Sequence, residues 1–394
     1  MTSAPASPLR GRYLVKNRGW NAALRLTDAI LSRIVRPAEL TGGRHPRRIL
    51  VAVGGHLGDA VIATSVLPVL ASAFPDAELG MLLPSWSRAV VDGHPRVRWL
   101  HHADHWKVNR VAPGLSARWN RYRETRAASI AELRAVRYDV AIDLYAYYPN
   151  AARLLHAAGI PVRVGYASGG CGPLYTHSLE WTPDGHTAEQ HLRLVQSFAG
   201  HAAHRERLAY ELPALPDLAA ARAAELVGED FVVVHPGTGN ALKEWPIERW
   251  RELVARLVAR GERVVLTGAG STEARLAESI VAREPTARNL VGMLDWTTFR
   301  AVIARASVVI GADSVAGHVA AAHGRPAIAI MSGMSNPEYW RPLGRRSLVL
   351  SRAVSCAPCF RADGCAAMSC VREVTVDEVM RAVEQLGVGS DANV

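Results

Sequence analysis

Arg48-Ile49-Leu50-Val51-Ala52-Val53 runs directly into Gly54-Gly55-His56-Leu57-Gly58-Asp59. In the second half of the chain, Val308-Val309-Ile310 runs into Gly311-Ala312-Asp313-Ser314-Val315-Ala316-Gly317-His318. Each reads as a buried strand, a turn of small residues and the start of a helix. In an open α/β sheet such a turn lies at the carboxyl ends of the strands, where ligands bind. The helix start then offers unpaired N–H groups beside an Asp. Two such stretches predict an α/β chain with two doubly wound, Rossmann-type domains facing a central cleft.

Outward from the first stretch, strand and helix signals alternate. The pattern predicts a helix over 58–73, strands over 77–83, 97–100, 138–144 and 162–166, and helices over 116–136 and 186–199. Leu212-Pro213-Ala214-Leu215-Pro216-Asp217 reads as a linker. Beyond it the pattern predicts strands over 231–234, 263–267, 307–312 and 326–331. Helices follow over 246–260, 272–283, 297–306 (with Thr297 as cap) and 315–323. The regular alternation implies parallel sheets with helices on both faces. The implied division is an N-terminal extension over 1–46, one Rossmann-like domain over 47–212 and a second over 218–394.

The 394 residues exceed one ordinary core, and 49% hydrophobic with 21% charged residues fits a globular protein. No run approaches the roughly 18 apolar residues of a spanning helix. The N-terminus shows no signal-peptide pattern, so a cytoplasmic protein is expected. The net charge of +10 is uneven. Residues 1–48 hold ten Lys/Arg against two Asp/Glu, and residues 96–137 hold ten against three. Such local patches point to an acidic acceptor or surface and not to a nucleic-acid partner. Trp20, Leu24, Leu31 and Ile34 lie near helical spacing among Arg18, Arg25, Arg33 and Arg36. That fits a peripheral helix on anionic membrane, at the inner face of the cytoplasmic membrane, and fits equally a helix docked on the protein.

Four segments carry candidate chemistry, each with a plain alternative. Asp59 stands at a helix start, where capping alone explains an Asp. In Val234-His235-Pro236-Gly237-Thr238-Gly239-Asn240-Ala241-Leu242-Lys243-Glu244-Trp245-Pro246, the glycines allow close approach of a ligand. Thr238 and Lys243 can contact phosphate oxygens there. The Walker spacing is absent, and an exposed loop Lys is the alternative. In Thr267-Gly268-Ala269-Gly270-Ser271-Thr272-Glu273, the carboxylate of Glu273 can take two ribose hydroxyls or simply favour a helix N-terminus. The amides from Ser314 through Val315 to Gly317 can hold a diphosphate, with Asp313 holding the turn. His318 either faces the ligand or packs.

Taken in this order, and with Asn336-Pro337-Glu338-Tyr339-Trp340-Arg341-Pro342, the segments resemble bacterial glycosyltransferase family 9, the ADP-heptose:lipopolysaccharide heptosyltransferases and relatives. The resemblance spans about residues 47–386. It rests on Gly58-Asp59, Lys243-x-Trp245-Pro246, and Asp313-Ser314…His318 followed by Trp340-x-Pro342. It implies a GT-B-like fold whose first domain binds the acceptor and whose second binds the nucleotide sugar. The implied reaction is an inverting, metal-independent transfer of a sugar, with heptose the family's example. The donor would be a nucleotide-diphosphate sugar and the acceptor an acidic saccharide, a lipid-linked glycan or a protein. By the same likeness Asp59 is the general base. Lys243, Thr238 and the amides after Asp313 hold the donor phosphates, and Glu273 meets the ribose. No cofactor is implied for catalysis. Two departures stand out: Val315 replaces the usual Gly after Asp-Ser/Thr, which suggests an altered turn, and Ser65 replaces a common Pro.

Cys171 is isolated and reads as a core thiol. Cys356-x2-Cys359-x5-Cys365-x4-Cys370 has the density of a structural metal site, Zn or Fe, with reduced thiols or one disulfide as the alternatives. Similar clusters occur in the family's autotransporter heptosyltransferase branch, where iron is bound. A rival of another class is a non-catalytic sugar-nucleotide-binding protein. An NAD-dependent oxidoreductase is disfavoured, because Gly-x-Gly-x-x-Gly is missing.

Overall fold

The computed structural model describes residues 13–15, 17–35, 45–109, 111–200, 208–334, 336–359, 365 and 367–387. The chain divides into two compact units, one within Leu9–Pro213 and one within Ala214–Val394.

The N-terminal unit is built on β1 (Arg48–Ala52), β2 (Glu78–Leu83), β3 (Val97–His102), β4 (Val140–Asp143), β5 (Val162–Tyr166) and β6 (His177–Leu179). They pair in the order β3-β2-β1-β4-β5-β6, every pair parallel. Ile49, Leu50, Val51 and Ala52 of β1 are all buried, as a strand covered on both faces requires. The helix expected over 58–73 is broken. It runs as Leu57–Ala63, a tight turn at Thr64–Val66, then Leu67–Ala73. The hydroxyls of Thr64 and Ser65 donate to the carbonyls of Val61 and Ile62, and Pro68 opens the next helix. Local hydroxyl-to-carbonyl bonds of this kind bend a helix, and Pro cannot continue one.

The extension is packed onto this unit through the helix Arg18–Ile34. Asp28 accepts from the Tyr13 hydroxyl at 2.8 Å and from the Cys171 N–H at 2.7 Å. Leu24 lies against Gly170, where a Cβ would sit 2.6 Å from its Cδ2. Leu24 is buried and Leu31 half-buried, so two of the four apolar positions read as a peripheral face are the docked side.

The C-terminal unit repeats the plan with β7 (Phe231–His235), β8 (Arg263–Leu266), β9 (Arg288–Asn289), β10 (Val308–Ala312), β11 (Ala327–Ile330) and β12 (Ser347–Leu350). The order is β12-β11-β10-β7-β8-β9, again all parallel. Counted within its own unit, each sheet therefore has the order 3-2-1-4-5-6 of a dinucleotide-type fold. A helix starts at Asp217, where the linker was expected to end. The helix Trp296–Arg305 is capped by Asp295, whose Oδ1 accepts from the Thr298 N–H at 2.7 Å. Thr297, the expected cap, lies inside it. Asp295, two positions earlier, reaches the free N–H and takes the capping role.

Candidate functional site

The 3-2-1-4-5-6 order creates a crevice where strand 1 borders strand 4, because the chain leaves those two strands in opposite directions. Each unit has one such switch point.

In the N-terminal unit it lies between β1 and β4. Gly55 adopts a φ of +87°, and a Cβ there would overlap the Asp59 carboxylate. At Gly54 a Cβ would come within 2.9 Å of the Tyr145 ring. Both glycines are needed because two side chains close on the backbone. Asp59 is the third residue of the helix Leu57–Ala63, and its Oδ2 accepts from the His56 N–H at 2.7 Å. Asp59 is thus not the N-cap itself, which is His56, but the partner that closes a capping box through one oxygen. A carboxylate offers about four acceptor positions, so the cap does not exhaust it.

The end of β4 supplies the other wall. Asp143 is buried and accepts from the N–H groups of Tyr145 (3.1 Å) and Ala151 (2.6 Å) and from the Tyr175 hydroxyl (2.7 Å). Burial pushes its carboxyl up to about 6, against the pull of those bonds. Burial, then the charge of Asp59, also raises the Tyr145 phenol far above its ordinary value. This site is acidic and tightly braced. Asp143 and Tyr145 were not singled out in the sequence. The signal was available, since an Asp ends the strand that the topology makes strand 4.

In the C-terminal unit the switch point lies between β7 and β10. His235 ends β7, and its Nδ1 pairs with the Thr267 hydroxyl at 3.0 Å. Burial lowers its pKa to about 4, so the ring is neutral at pH 7. In the following loop the Asn240 N–H donates to the Thr238 hydroxyl oxygen at 3.1 Å. The Asn240 Oδ1 takes the Leu242 N–H at 3.0 Å and its carbonyl takes the Lys243 N–H at 2.9 Å. Asn240 thereby winds the short turn Ala241–Lys243 that presents Lys243. It was missed because a loop Asn has no spacing signature of its own.

Lys243 Nζ lies 2.7 Å from Asp313 Oδ2. Asp313 follows β10 and precedes Ser314, the extended residue that opens the helix Val315–Ala322. The Ser314 hydroxyl is buried and finds no hydrogen-bond partner among the described residues. Val315 is the first helical residue and is not among the left-handed residues, so the altered turn expected from its β-branched side chain does not arise. Gly317 lets Pro342 lie on the helix, since a Cβ would meet Pro342 Cγ at 2.9 Å. His318 is buried inside the unit, the packing alternative.

Glu273 joins the same edge. Its carboxylate occupies the space a Cβ would need at Gly237 and at Gly268, and Oε2 accepts from the Ala269 N–H at 2.7 Å. Burial, reinforced by Glu244 and opposed by the Ala269 N–H, raises its pKa. One sheet edge therefore gathers Thr238, Lys243, Glu273, Asp313, Ser314 and the first amides of a helix. Trp245 and Pro246 anchor it. The Trp245 Nε1–H donates to the Val374 carbonyl at 2.9 Å, and its ring meets Trp250 edge-on at 4.8 Å.

None of the five cysteines is in a disulfide. Cys171 is buried in a left-handed conformation and accepts from Arg153 Nε at 3.2 Å. Cys359 donates its N–H to the Gly333 carbonyl at 3.1 Å, and Met368 donates to Cys365 Sγ at 3.3 Å. A Cβ at Gly333 would lie 3.1 Å from that of Cys370. Among the described residues no three His, Cys, Asp or Glu side chains are gathered as metal ligands. No helix among them is long and apolar enough to cross a membrane.

Two parallel Rossmann-type units, the second with a lysine and a helix N-terminus at its switch point, define a GT-B-like protein. The model of glycosyltransferase family 9 (heptosyltransferase) matches residues 126–367, and the chain belongs to that family of glycosyltransferases. It is 24% identical over 329 residues to lipopolysaccharide heptosyltransferase 1 of Pseudomonas aeruginosa, across 80% of this chain and 86% of that one. It is also 24% identical over 295 residues to lipopolysaccharide heptosyltransferase 3 of Escherichia coli K12, across 72% and 82%. Among solved structures, the family 9 glycosyl transferase from Veillonella parvula superposes with a TM-score of 0.73 at 19% identity, covering 86% of this chain and 97% of that one. E. coli ADP-heptose lps heptosyltransferase II gives 0.68 at 21%, covering 86% and 98%.

Proposed function

We propose that this glycosyltransferase moves heptose from ADP-heptose to a lipid-carried saccharide of the lipopolysaccharide type, inverting the anomeric carbon without a metal. The relatives' names support the substrates. The observation that carries the chemistry is the Lys243–Asp313 pair at the start of the helix Val315–Ala322.

In this reading the N-terminal unit binds the acceptor and Asp59 takes its hydroxyl proton. A carboxylate of pKa near about 4 is a weak base, so proton transfer is late and positioning matters most. The capping bond from His56 fixes the carboxylate for that task. The C-terminal unit holds the donor. The leaving diphosphate gathers charge, and Lys243 with the amides of Ser314, Val315 and Gly317 stabilises it. Asp313 holds Lys243 extended until the phosphate shares it. Thr238 braces the loop and Glu273 receives the ribose hydroxyls. His318 acts through packing of the helix. Among the basic residues of the helix Leu115–Val136, Arg121 is committed to buried Asp104. Arg118 donates to the Ala112 carbonyl at 3.1 Å, and with Arg123 and Arg126 its charge would attract acceptor phosphates. An acceptor carried on lipid would bring the enzyme to a membrane surface on the cytoplasmic side.

The test is release of ADP from ADP-heptose, alone and with a heptose-deficient lipopolysaccharide acceptor. Release that requires the acceptor supports transfer. Tight nucleotide binding without acceptor-dependent release supports the non-catalytic binder. Separately, Cys356, Cys359, Cys365 and Cys370 are proposed to hold one structural Zn or Fe, supported by four cysteines outside any disulfide in one short segment. Metal analysis of the purified chain checks this. Stoichiometric metal lost in Cys365→Ser agrees with it, and a metal-free wild type contradicts it.

A further inference from the structure

The N-terminal extension meets the loop that leaves β4. Its helix, Arg18–Ile34, lies before the stretch, residues 47–386, whose sequence resembles family 9, so its side chains are no part of that resemblance. The helix is nevertheless latched like a core element. Buried Asp28 takes hydrogen bonds from the Tyr13 hydroxyl and the Cys171 N–H, and Leu24 fills the space beside Gly170. Nearer the helix start, Trp20 is 41% exposed, and its ring lies 5.5 Å from that of Tyr148 at a tilt of 34°. Lys107 Nζ rests on both rings, 4.7 Å from the centre of Tyr148 and 5.6 Å from that of Trp20.

These three side chains stand on the sheet edge that carries Asp59. The loop after β4 that holds Tyr148 also holds Tyr145, whose ring packs on Gly54 and Gly55 beside the Asp59 carboxylate. The Tyr147 ring continues the row, 5.6 Å from Tyr145. Buried Asp143 braces this loop through the N–H groups of Tyr145 and Ala151. Lys107 comes from the loop after β3, where the His105 ring backs Tyr148 at 5.9 Å. Burial holds His105 at about 4, so this ring is neutral at pH 7. The sequence from 105 to 123 contains Lys107, Arg110, Arg118, Arg121 and Arg123 and no acidic residue. Asp104, next to it, is buried and taken up by Ser85 and Arg121. Burial lowers the Lys107 pKa, and no carboxylate among the described residues opposes it.

We infer that Trp20, Tyr148 and Lys107 form a subsite for an acidic sugar of the acceptor, so that the extension helps to choose the acceptor. One face of a pyranose presents C–H groups, which suit the electron-rich face of a Trp or Tyr ring. An ammonium set over two rings is held in place by them and meets the sugar's carboxylate or phosphate through a charge-assisted hydrogen bond. Aromatic walls with a few placed polar groups are the ordinary make-up of a small-ligand site. Tyr148 follows Tyr145 by three residues, so the subsite suits a sugar unit beyond the one bearing the reacting hydroxyl. The inference rests on the reading of the N-terminal unit as the acceptor side, and its test separates the failure of one from the failure of the other.

The experiment is calorimetric titration of the full chain with a water-soluble, deacylated fragment of heptose-deficient lipopolysaccharide, with neutral maltotetraose as the control. The fragment should bind and maltotetraose should not. Trp20→Ala should weaken fragment binding about tenfold, and Trp20→Phe should restore most of it. Lys107→Met, which keeps an unbranched stem, should weaken it about tenfold or more and reduce its dependence on salt. The affinity for ADP should not change in these variants, and the melting temperature of Trp20→Ala should fall by no more than about 2 °C, because the ring is exposed. Fragment binding that responds to Trp20 and Lys107 without acceptor-dependent ADP release would remove the transfer reading and leave the subsite standing. Acceptor-dependent ADP release with an acceptor KM that neither variant raises would leave transfer standing and remove the subsite. No fragment binding by the wild type, equal binding of maltotetraose, unchanged fragment affinity in either variant, or no recovery in Trp20→Phe would overturn the inference.

Discussion

The two switch points share a topology and differ in charge. Between β1 and β4 the edge is acidic, with Asp59, Asp143 and the Tyr145 ring braced against two glycines. Between β7 and β10 the edge presents a lysine, a helix N-terminus and a neutral histidine. On the reading proposed above, one plan supplies a proton acceptor in one unit and an anion cradle in the other. The lesson is that strand order fixes where a site lies, while the residue ending each strand fixes what it can do.

The strongest way to break the contrast is to remove the cradle's charge. Lys243→Ala should weaken nucleotide-diphosphate binding by about 3 kcal/mol, over a hundredfold, because it also leaves the Asp313 carboxylate facing phosphate. Lys243→Ala/Asp313→Asn should recover part of that loss in calorimetry. An equal loss in single and double variants would deny Asp313 the holding role.

A paired glycine substitution sharpens the comparison. Gly54→Ala forces its Cβ into the Tyr145 ring and should cost about 2 kcal/mol of stability, with donor affinity unchanged. Gly237→Ala displaces only the end of Glu273, so stability should hold while donor affinity falls roughly tenfold. Denaturation and donor titration of both variants check the two directions.

The smallest contrast is in pH. Burial holds His235 in one unit at about 4 and His191 in the other at about 3, both below the ordinary value of 6.5. The unfolded chain therefore takes the proton first as pH falls, and stability declines from pH 6.5 towards 4. At pH 5 each ring should cost about 2 kcal/mol relative to pH 7. His235→Asn should flatten that decline for the C-terminal unit only, seen in thermal unfolding across pH.

Much of this was legible in the sequence. The buried runs at β1 and β10, each ending in small residues and an Asp, announce parallel strands with ligand edges, and the structure keeps them. Lys243 and Asp313 were named separately, and only folding shows that they pair. The short edge strands β6, β9 and β12 escaped notice because none of their residues is buried, unlike the fully buried runs of the central strands. Tyr145 and Asn240 act through contacts that no periodicity encodes. The break at Thr64 and Ser65 was hidden because those residues still fit an apolar helical face and are fully buried.

The division of labour is tested most directly by Asp59→Asn, which keeps an acceptor for the His56 N–H and so preserves the helix start. Turnover and donor affinity are measured on the same preparation. Turnover should fall about a thousandfold while donor affinity stays within about twofold. Near wild-type turnover in Asp59→Asn would contradict the account.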